Sequence, residues 1–264
     1  MKKLIDEMRA TKVAAGELAI FYLGQAGFWF KTSNDKNIVI DPYLSDAAER
    51  LFGFKRMNPP VIDPNDLDVD YFIATHSHID HLDTDTLPDV VAKQSVRFIG
   101  APDCEEEFRK QGLSSDRFTI LAEGQSCSFD SLSVRAVYAD HGELAPDAVG
   151  MLIDVDGFTI YQCGDTAYQP ERILASLQTT PDIMIAPING AFGNLNALEA
   201  CRLAEEIHPR LLIACHFWTF LEHVGENGLG DPSVFLNEAK KLPNDIQAIV
   251  LPSGRSVIFK TKGG

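Results

Sequence analysis

Thr75-His76-Ser77-His78-Ile79-Asp80-His81-Leu82-Asp83 follows directly on the apolar run Tyr71-Phe72-Ile73-Ala74. Imidazole nitrogen and carboxylate oxygen are the donors that Zn²⁺ and similar divalent ions accept. To converge on one site from so short a stretch, the chain must bend sharply, and a strand running into a tight loop does this. A strand over 71–75 would put His76 and His78 on one face if the extended backbone continued. Asp80 and His81 then fall where the chain must turn. Three of the seven histidines of the chain lie here, and the donors suffice for two ions.

The 264 residues, 45% of them hydrophobic, are ample for a buried core, and one domain spanning residues 1–264 is the simplest reading because no repeat or Gly/Ser linker interrupts the chain. The formal net charge is −15 and no block of Lys or Arg forms a basic stripe, which weighs against a nucleic-acid partner. No apolar stretch reaches membrane-span length, and the N-terminus turns acidic at Asp6-Glu7, before a signal-peptide apolar region could develop. The five cysteines, Cys104, Cys127, Cys163, Cys201 and Cys215, are scattered and form no CxxC pair. Free thiols in a reducing compartment, hence a cytoplasmic location, are the expectation. A homo-oligomer is compatible with the composition.

Strand signals dominate the first part of the chain after an amphipathic helix over 2–12. β-Branched and aromatic runs at 17–23, 28–31 and 37–40 are separated by Gly24, Gly27 and Ser33-Asn34-Asp35. Residues 44–68, with Pro59, Pro60 and Pro64, read as a long irregular excursion. A helix near 84–93, a strand over 96–100 and a helix starting at Pro102 come next. Strands follow at 126–129, 132–139, 149–155 and 158–163, with Asp156-Gly157 a hairpin turn. Helices near 170–177, 196–207 and 233–241 then alternate with strands at 183–186, 211–215, 248–251 and 256–260. Asn196 and Glu199 form a capping box for the second of these helices. Two β-rich blocks, each followed by helices, predict two sheets packed face to face with helices outside.

His141, Asp165 and His216 each follow a predicted strand end, where a rigid sheet can deliver side chains to a shared rim. Singly each is weak. His208, before Pro209, reads as a charge complement to a helix C-terminus, and Cys163 and Cys215 as core residues. Asp41, in Ile40-Asp41-Pro42, could support a ligating histidine, although an Asp-Pro turn explains it equally well. Tyr168, Asn194, Trp218 and His223 lie in loops after ligand-bearing strands and are candidate substrate contacts. There is no G-x-S-x-G elbow, and Gly24-Gln25-Ala26-Gly27 lacks the Lys-Ser/Thr ending of a phosphate loop.

Taken together, His76, His78, Asp80, His81, His141, Asp165 and His216 resemble the His-x-His-x-Asp-His, His, Asp, His pattern of metallo-β-lactamase superfamily hydrolases. The resemblance implies an α+β fold, a four-layer αβ/βα sandwich with the site at one edge between the sheets. It also implies one ion on His76, His78 and His141, a second on Asp80, His81 and His216, and Asp165 bridging. Tyr22–Thr32 and Ala74–His81 are similar to the L-ascorbate-6-phosphate lactonase branch, although Cys215-His216-Phe217 lacks the adjacent second His of that branch.

The expected function is hydrolysis of a small anionic ester or lactone, such as a sugar-phosphate lactone, by a hydroxide held between two divalent ions, Zn or Mn. A phosphodiesterase on the same scaffold and a non-catalytic metal-stabilised binding protein are the alternatives. Asp80 and Asp165 are the catalytic candidates, with Asp80 orienting the hydroxide and relaying a proton to the leaving group. Two ions, two aspartates and a hydroxide carry about +1 in sum, which favours an anionic transition state despite the acidic surface.

Overall fold

The computed structural model describes residues 2–221, 224 and 230–261. After helix α1 (Lys2–Ala10), strands β1 (Glu17–Gly24), β2 (Gly27–Lys31) and β3 (Asn37–Ile40) form the expected meander. The chain then passes through α2 (Ala47–Phe52), β4 (Tyr71–Ala74), α3 (Leu87–Val91), β5 (Arg97–Gly100), α4 (Cys104–Lys110) and β6 (Phe118–Ile120). The second half contains β7 (Ser126–Phe129), β8 (Leu132–Tyr138), β9 (Val149–Val155), β10 (Phe158–Gln162), α5 (Pro170–Leu177) and β11 (Ile183–Pro187). It closes with α6 (Ala197–Ile207), β12 (Leu211–Cys215), α7 (Pro232–Ala239), β13 (Gln247–Val250) and β14 (Ser256–Lys260).

Two seven-stranded sheets result, in the orders β14-β1-β2-β3-β4-β5-β6 and β13-β12-β11-β10-β9-β8-β7. Each is mixed: antiparallel where hairpins connect neighbours, parallel where a helix or long excursion intervenes, as from β3 through β6. The last strand, β14, returns to pair antiparallel with β1. Strand periodicity sorts the second sheet into two faces. Ile183, Ile185, Leu211 and Ile213 turn to the core shared with the first sheet, while Met184, Ala186, Leu212 and Ala214 pack under α5, α6 and α7 with Ile173, Leu203 and Phe235. Each fully buried Leu, Ile, Met or Phe side chain among these contributes roughly 1.5–3 kcal/mol. On the first sheet, Phe98 packs against Phe72 and against Phe108 of α4. The architecture is the expected α+β sandwich with helices outside two facing sheets.

Several local expectations change. The excursion at 44–68 contains α2 and a short 3₁₀ turn at Pro64–Asp66, so it is not wholly irregular. The helix expected near 84–93 contracts to α3, and α4 begins at Cys104 with Asp103 as N-cap, not at Pro102. The capping box of α6 is present, with Asn196 and Glu199 exchanging hydrogen bonds of 3.0 Å. His208 ends α6 in the left-handed conformation, as its C-cap, and pairs its Nε2 with Asp245 Oδ2 at 3.0 Å. Cys163 and Cys215 are buried in the core as expected, and all five cysteines are unpaired.

Candidate metal centre

Six strand ends meet at one rim: β1 leads to Gln25, β3 to Asp41, β4 to the 75–83 loop, β8 to His141, β10 to Asp165 and β12 to His216. The strand β4 stops at Ala74, so His76 and His78 are not held by extended backbone. The loop bends instead, with His81 N–H and Leu82 N–H donating to His78 C=O. Three ligand-type sets converge: His76, His78 and His141; His76, His81 and Asp165; and Asp80, His81 and His216, each with one donor atom per residue mutually within 4.8 Å. Asp165 stands between the first and third sets. Its Oδ2 is 3.6 Å from His141 Nε2 and 3.4 Å from His216 Nε2, and its Oδ1 is 3.3 Å from His81 Nε2.

Buried groups around the cluster aim these rings. Asp41, fully buried, accepts from Thr75 N–H (2.8 Å), Thr75 Oγ1 (2.7 Å) and His81 Nδ1 (2.9 Å). This leaves His81 Nε2 facing inward, with no hydrogen-bond partner among the described residues. His78 Nε2 pairs with Leu144 C=O at 3.1 Å, which turns its Nδ1 toward His76 Nε2, 3.0 Å away. Asp103 Oδ2 accepts both Ser77 N–H and Ser77 Oγ at 2.9 Å, which is why that carboxylate does not cap α4. Gly164, at φ +63°, precedes Asp165 in a turn so tight that a Cβ there would lie 2.9 Å from Val149 C=O.

The electrostatics divide the histidines. Burial holds His76 well below its usual pKa and lowers His141 as well, favouring the neutral imidazole that binds cations. Burial would also lower His81 and His216, but carboxylates outweigh it. Asp165, Asp41 and Asp80 hold His81 well above its usual value, and Asp165 with Asp80 raises His216 to about 9. Burial opposes ionisation of Asp80 and Asp165, yet the neighbouring histidines overcome it and keep both pKa values depressed.

The donor set fits divalent cations. Imidazoles and ionised carboxylates point at one another, and His81 Nε2 and Asp165 Oδ1 are buried without hydrogen-bond partners among the described residues. Nitrogens of His76 and His78 lie within 3.0 Å and those of His78 and His141 within 3.3 Å, close approaches that a shared cation would explain.

Of the candidate substrate contacts, Asn194 reaches the cluster, its Nδ2 donating to Asp165 Oδ2 at 2.8 Å. Tyr168 turns away, its hydroxyl donating to Glu206 on α6. Trp218 lines a groove between α1, Pro59-Pro60 and Pro252, and also a small cavity that it shares with Gln25 and His216. His223 lies outside the described residues. Sequence reasoning missed Gln25. Buried and left-handed (φ 53°), it donates from Nε2 to Asp80 Oδ2 at 2.7 Å and lies 3.0 Å from His216 Nε2. Its position in the Gly24–Gly27 turn at the end of β1 was the available signal.

A cavity of about 480 Å³ opens above the cluster, with His78, Asp80, His141, Asp165 and His216 on its floor. Around them stand Leu51 and Phe52 of α2, with Phe54, Leu144, Phe192 and Phe220.

This fold and site define a hydrolase of the metallo-β-lactamase superfamily. The chain belongs to the family described as Beta-lactamase superfamily domain, whose model matches residues 36–217. Among curated relatives, it is 25% identical over 93% of its length to a "UPF0173 metal-dependent hydrolase" of Polynucleobacter asymbioticus, covering 88% of that protein. It is 23% identical over 81% of its length to a "Probable L-ascorbate-6-phosphate lactonase" of Escherichia coli O127:H6, covering 73% of it. Its fold is also similar to Igni18, a metallo hydrolase from Ignicoccus hospitalis. That comparison gives a TM-score of 0.71 at 20% identity, with 93% of this chain and 100% of the other covered.

Proposed function

We propose that the chain is a metal-dependent hydrolase of an ester or lactone bond that holds two divalent ions, Zn or Mn, on the His/Asp cluster. The observation that carries this reading is the convergence of His76, His78, Asp80, His81, His141, Asp165 and His216 from four separate strand ends, with inward-facing donor atoms left unpaired. His76, His78 and His141 would hold one ion and Asp80, His81 and His216 the other, with Asp165 touching both sets. Such ions would supply Lewis-acid polarisation of a carbonyl and a water acidified toward neutrality, a nucleophile that needs no Ser or Cys.

The chain's own residues supply the rest. Asp41 holds His81 with Nδ1 protonated and Nε2 free. Asn194 fixes Asp165. Asp80, partly exposed at the cavity floor, can take a proton on Oδ and return it to the departing oxygen. The anionic substrate expected from charge counting finds no Lys or Arg in the described cavity lining, so the reading here rests on the bond cleaved and not on an anionic group. The distant lactonase relative supports a lactone, and the unpaired cysteines support a reducing compartment such as the cytoplasm.

The test is elemental analysis of protein purified without added metal, followed by a panel of lactones and esters against bis-p-nitrophenyl phosphate. His141→Ala and Asp165→Ala should each abolish turnover while circular dichroism stays native. Cleavage of the phosphodiester alone would transfer the reading to a phosphodiesterase. Full turnover by Asp165→Ala would sink both.

A further inference from the structure

The cavity above the His/Asp cluster carries a second message in its walls. Leu51, Phe52, Leu144 and Phe192 are 50%, 62%, 56% and 50% exposed although each is large and apolar. Scattered over a surface such residues need no explanation, but here they ring one concavity whose floor is the reactive cluster. Phe54 and Phe220 extend the apolar wall inward, their rings 6.0 Å apart.

Beyond the ligand-type histidines and the ions they would hold, the described cavity lining offers a phosphorylated or carboxylated substrate no cation. No Lys or Arg lines the cavity among the described residues. The guanidiniums borne near α2 are engaged elsewhere. Arg50 pairs with Asp85 at 2.6 Å, and Arg56 donates to Tyr43 C=O and Ser45 C=O at 3.1 and 3.3 Å. A phosphate that a bidentate arginine would normally clamp finds no such partner.

We propose, building on the ester or lactone reading above, that the substrate carries an apolar chain or aromatic ring, seated against Leu51, Phe52, Phe54, Leu144, Phe192 and Phe220. Its carbonyl faces the cluster. Water adds to the carbonyl carbon, the acyl carbon–oxygen bond breaks, and the departing oxygen takes the proton, leaving an acid and an alcohol, or one hydroxy acid from a lactone. The apolar group sets which substrates are accepted, because its burial discriminates by size at each methylene.

The decisive experiment uses the metal-loaded full chain with p-nitrophenyl acetate, butyrate, hexanoate and octanoate, and with γ-lactones bearing methyl to hexyl side chains. Glucono-δ-lactone and its 6-phosphate serve as polar competitors. The expected result is a kcat/KM that climbs about fourfold per methylene until the cavity is filled, with alkyl lactones ahead of the phosphorylated one. Calorimetry gives a readout independent of turnover: octanoate should bind at least about tenfold tighter than gluconate 6-phosphate, with a negative heat-capacity change. Phe52→Ser, at an exposed position where folding is not at stake, should flatten the chain-length series and weaken octanoate binding. A flat or falling series, or tighter binding of the 6-phosphate, would overturn the proposal while the ester reading stands. Turnover of phosphodiesters and of no ester or lactone would overturn the ester reading itself, and this proposal with it.

Discussion

Asp41 Oδ2 and His81 Nδ1 lie 2.9 Å apart at zero solvent exposure, and the same carboxylate closes the strand end by accepting both donors of Thr75. One side chain thus fixes the bend of the 75–83 loop and the tautomer of a ligand-type histidine. Asp41 also sits at φ 47° beneath Gly27, where a Cβ would come within 3.0 Å of Asp41 C=O. The close approach of β2 and the turn after β3 is therefore part of the same support.

Asp41→Asn keeps the shape and removes the charge. Asn cannot accept from all three donors as the carboxylate does, so a buried donor goes unpaired at a cost of about 1–3 kcal/mol. Metal affinity should fall by about 10–100-fold, the usual effect of losing a group that orients a ligand. Chelator competition and thermal unfolding of the same preparation measure the two effects. Unchanged affinity would mean that the Thr75 and His81 contacts do not tune the site.

Gln25 gives the opposite expectation. Its amide occupies the inward atoms of Asp80 and His216, two members of the set proposed to take the second ion, so cation binding there must displace it. Gln25→Ala removes the hydrogen bond to Asp80 that competes with the ion, worth about 1.5–3 kcal/mol to a charged partner. The variant should bind the second equivalent of metal more tightly, by about tenfold, while its metal-free form unfolds at a lower temperature. Weaker binding of the second equivalent in a titration would show that Gln25 supports the loaded site.

How much of this was legible in the sequence follows from the range of the signals. The seven ligand-type residues could be read because their chemistry is rare and each follows a strand whose period-2 pattern is strong, as in Leu211–Cys215. The strand β6 (Phe118–Ile120) was not read, because three half-buried residues carry no period. Helix α2 escaped for a similar reason: six residues in a segment rich in Pro and Asp give less than two turns of pattern, yet Leu51 and Phe52 form a wall of the cavity. Tyr168 and Trp218 were correctly placed after ligand-bearing strands, but the direction in which a loop turns its side chains depends on tertiary neighbours, here Glu206 and the groove beside α1. Gln25 acts across the interface between sheets, with its backbone C=O accepting from His216 N–H at 2.7 Å, and no local pattern encodes that contact.

The metal-free protein should lose stability both above neutrality and in acid, where His76 and His141, held below their usual pKa by burial, resist the protonation that the unfolded chain accepts. His216, raised to about 9 by Asp165 and Asp80 against the lowering effect of burial, is protonated in the folded state up to that pH but only to about 6.5 when unfolded. Its stabilisation is complete below 6.5 and is lost as pH climbs toward 9, and His81 acts in the same direction. Asp80 and Asp165, both depressed, contribute stability above their usual value of 3.8 that disappears as pH falls below it. Urea unfolding of chelator-treated protein from pH 4 to 9.5 should therefore weaken at both ends, whereas ions that replace the protons should remove the alkaline loss. Equal alkaline loss with and without metal would contradict this.

Gly164 tests whether the turn before Asp165 must be as tight as it is. A Cβ at this position meets Val149 C=O at 2.9 Å and Thr75 Cβ at 3.2 Å, and φ is +63°. Gly157 is the control, since its φ of +82° is equally left-handed but nothing lies within 4 Å of a Cβ there. Gly157→Ala should cost only the backbone term, about 1–2 kcal/mol. Gly164→Ala should cost more, because the clash falls on backbone that β8, β9 and β10 hold rigidly, and the easiest relief is to move Asp165 away from His81, His141 and His216. Metal content should drop in the second variant and not in the first. Equal stability and equal metal content in the two would mean that the rim yields at Asp165, and with it the argument that the sheets fix the site.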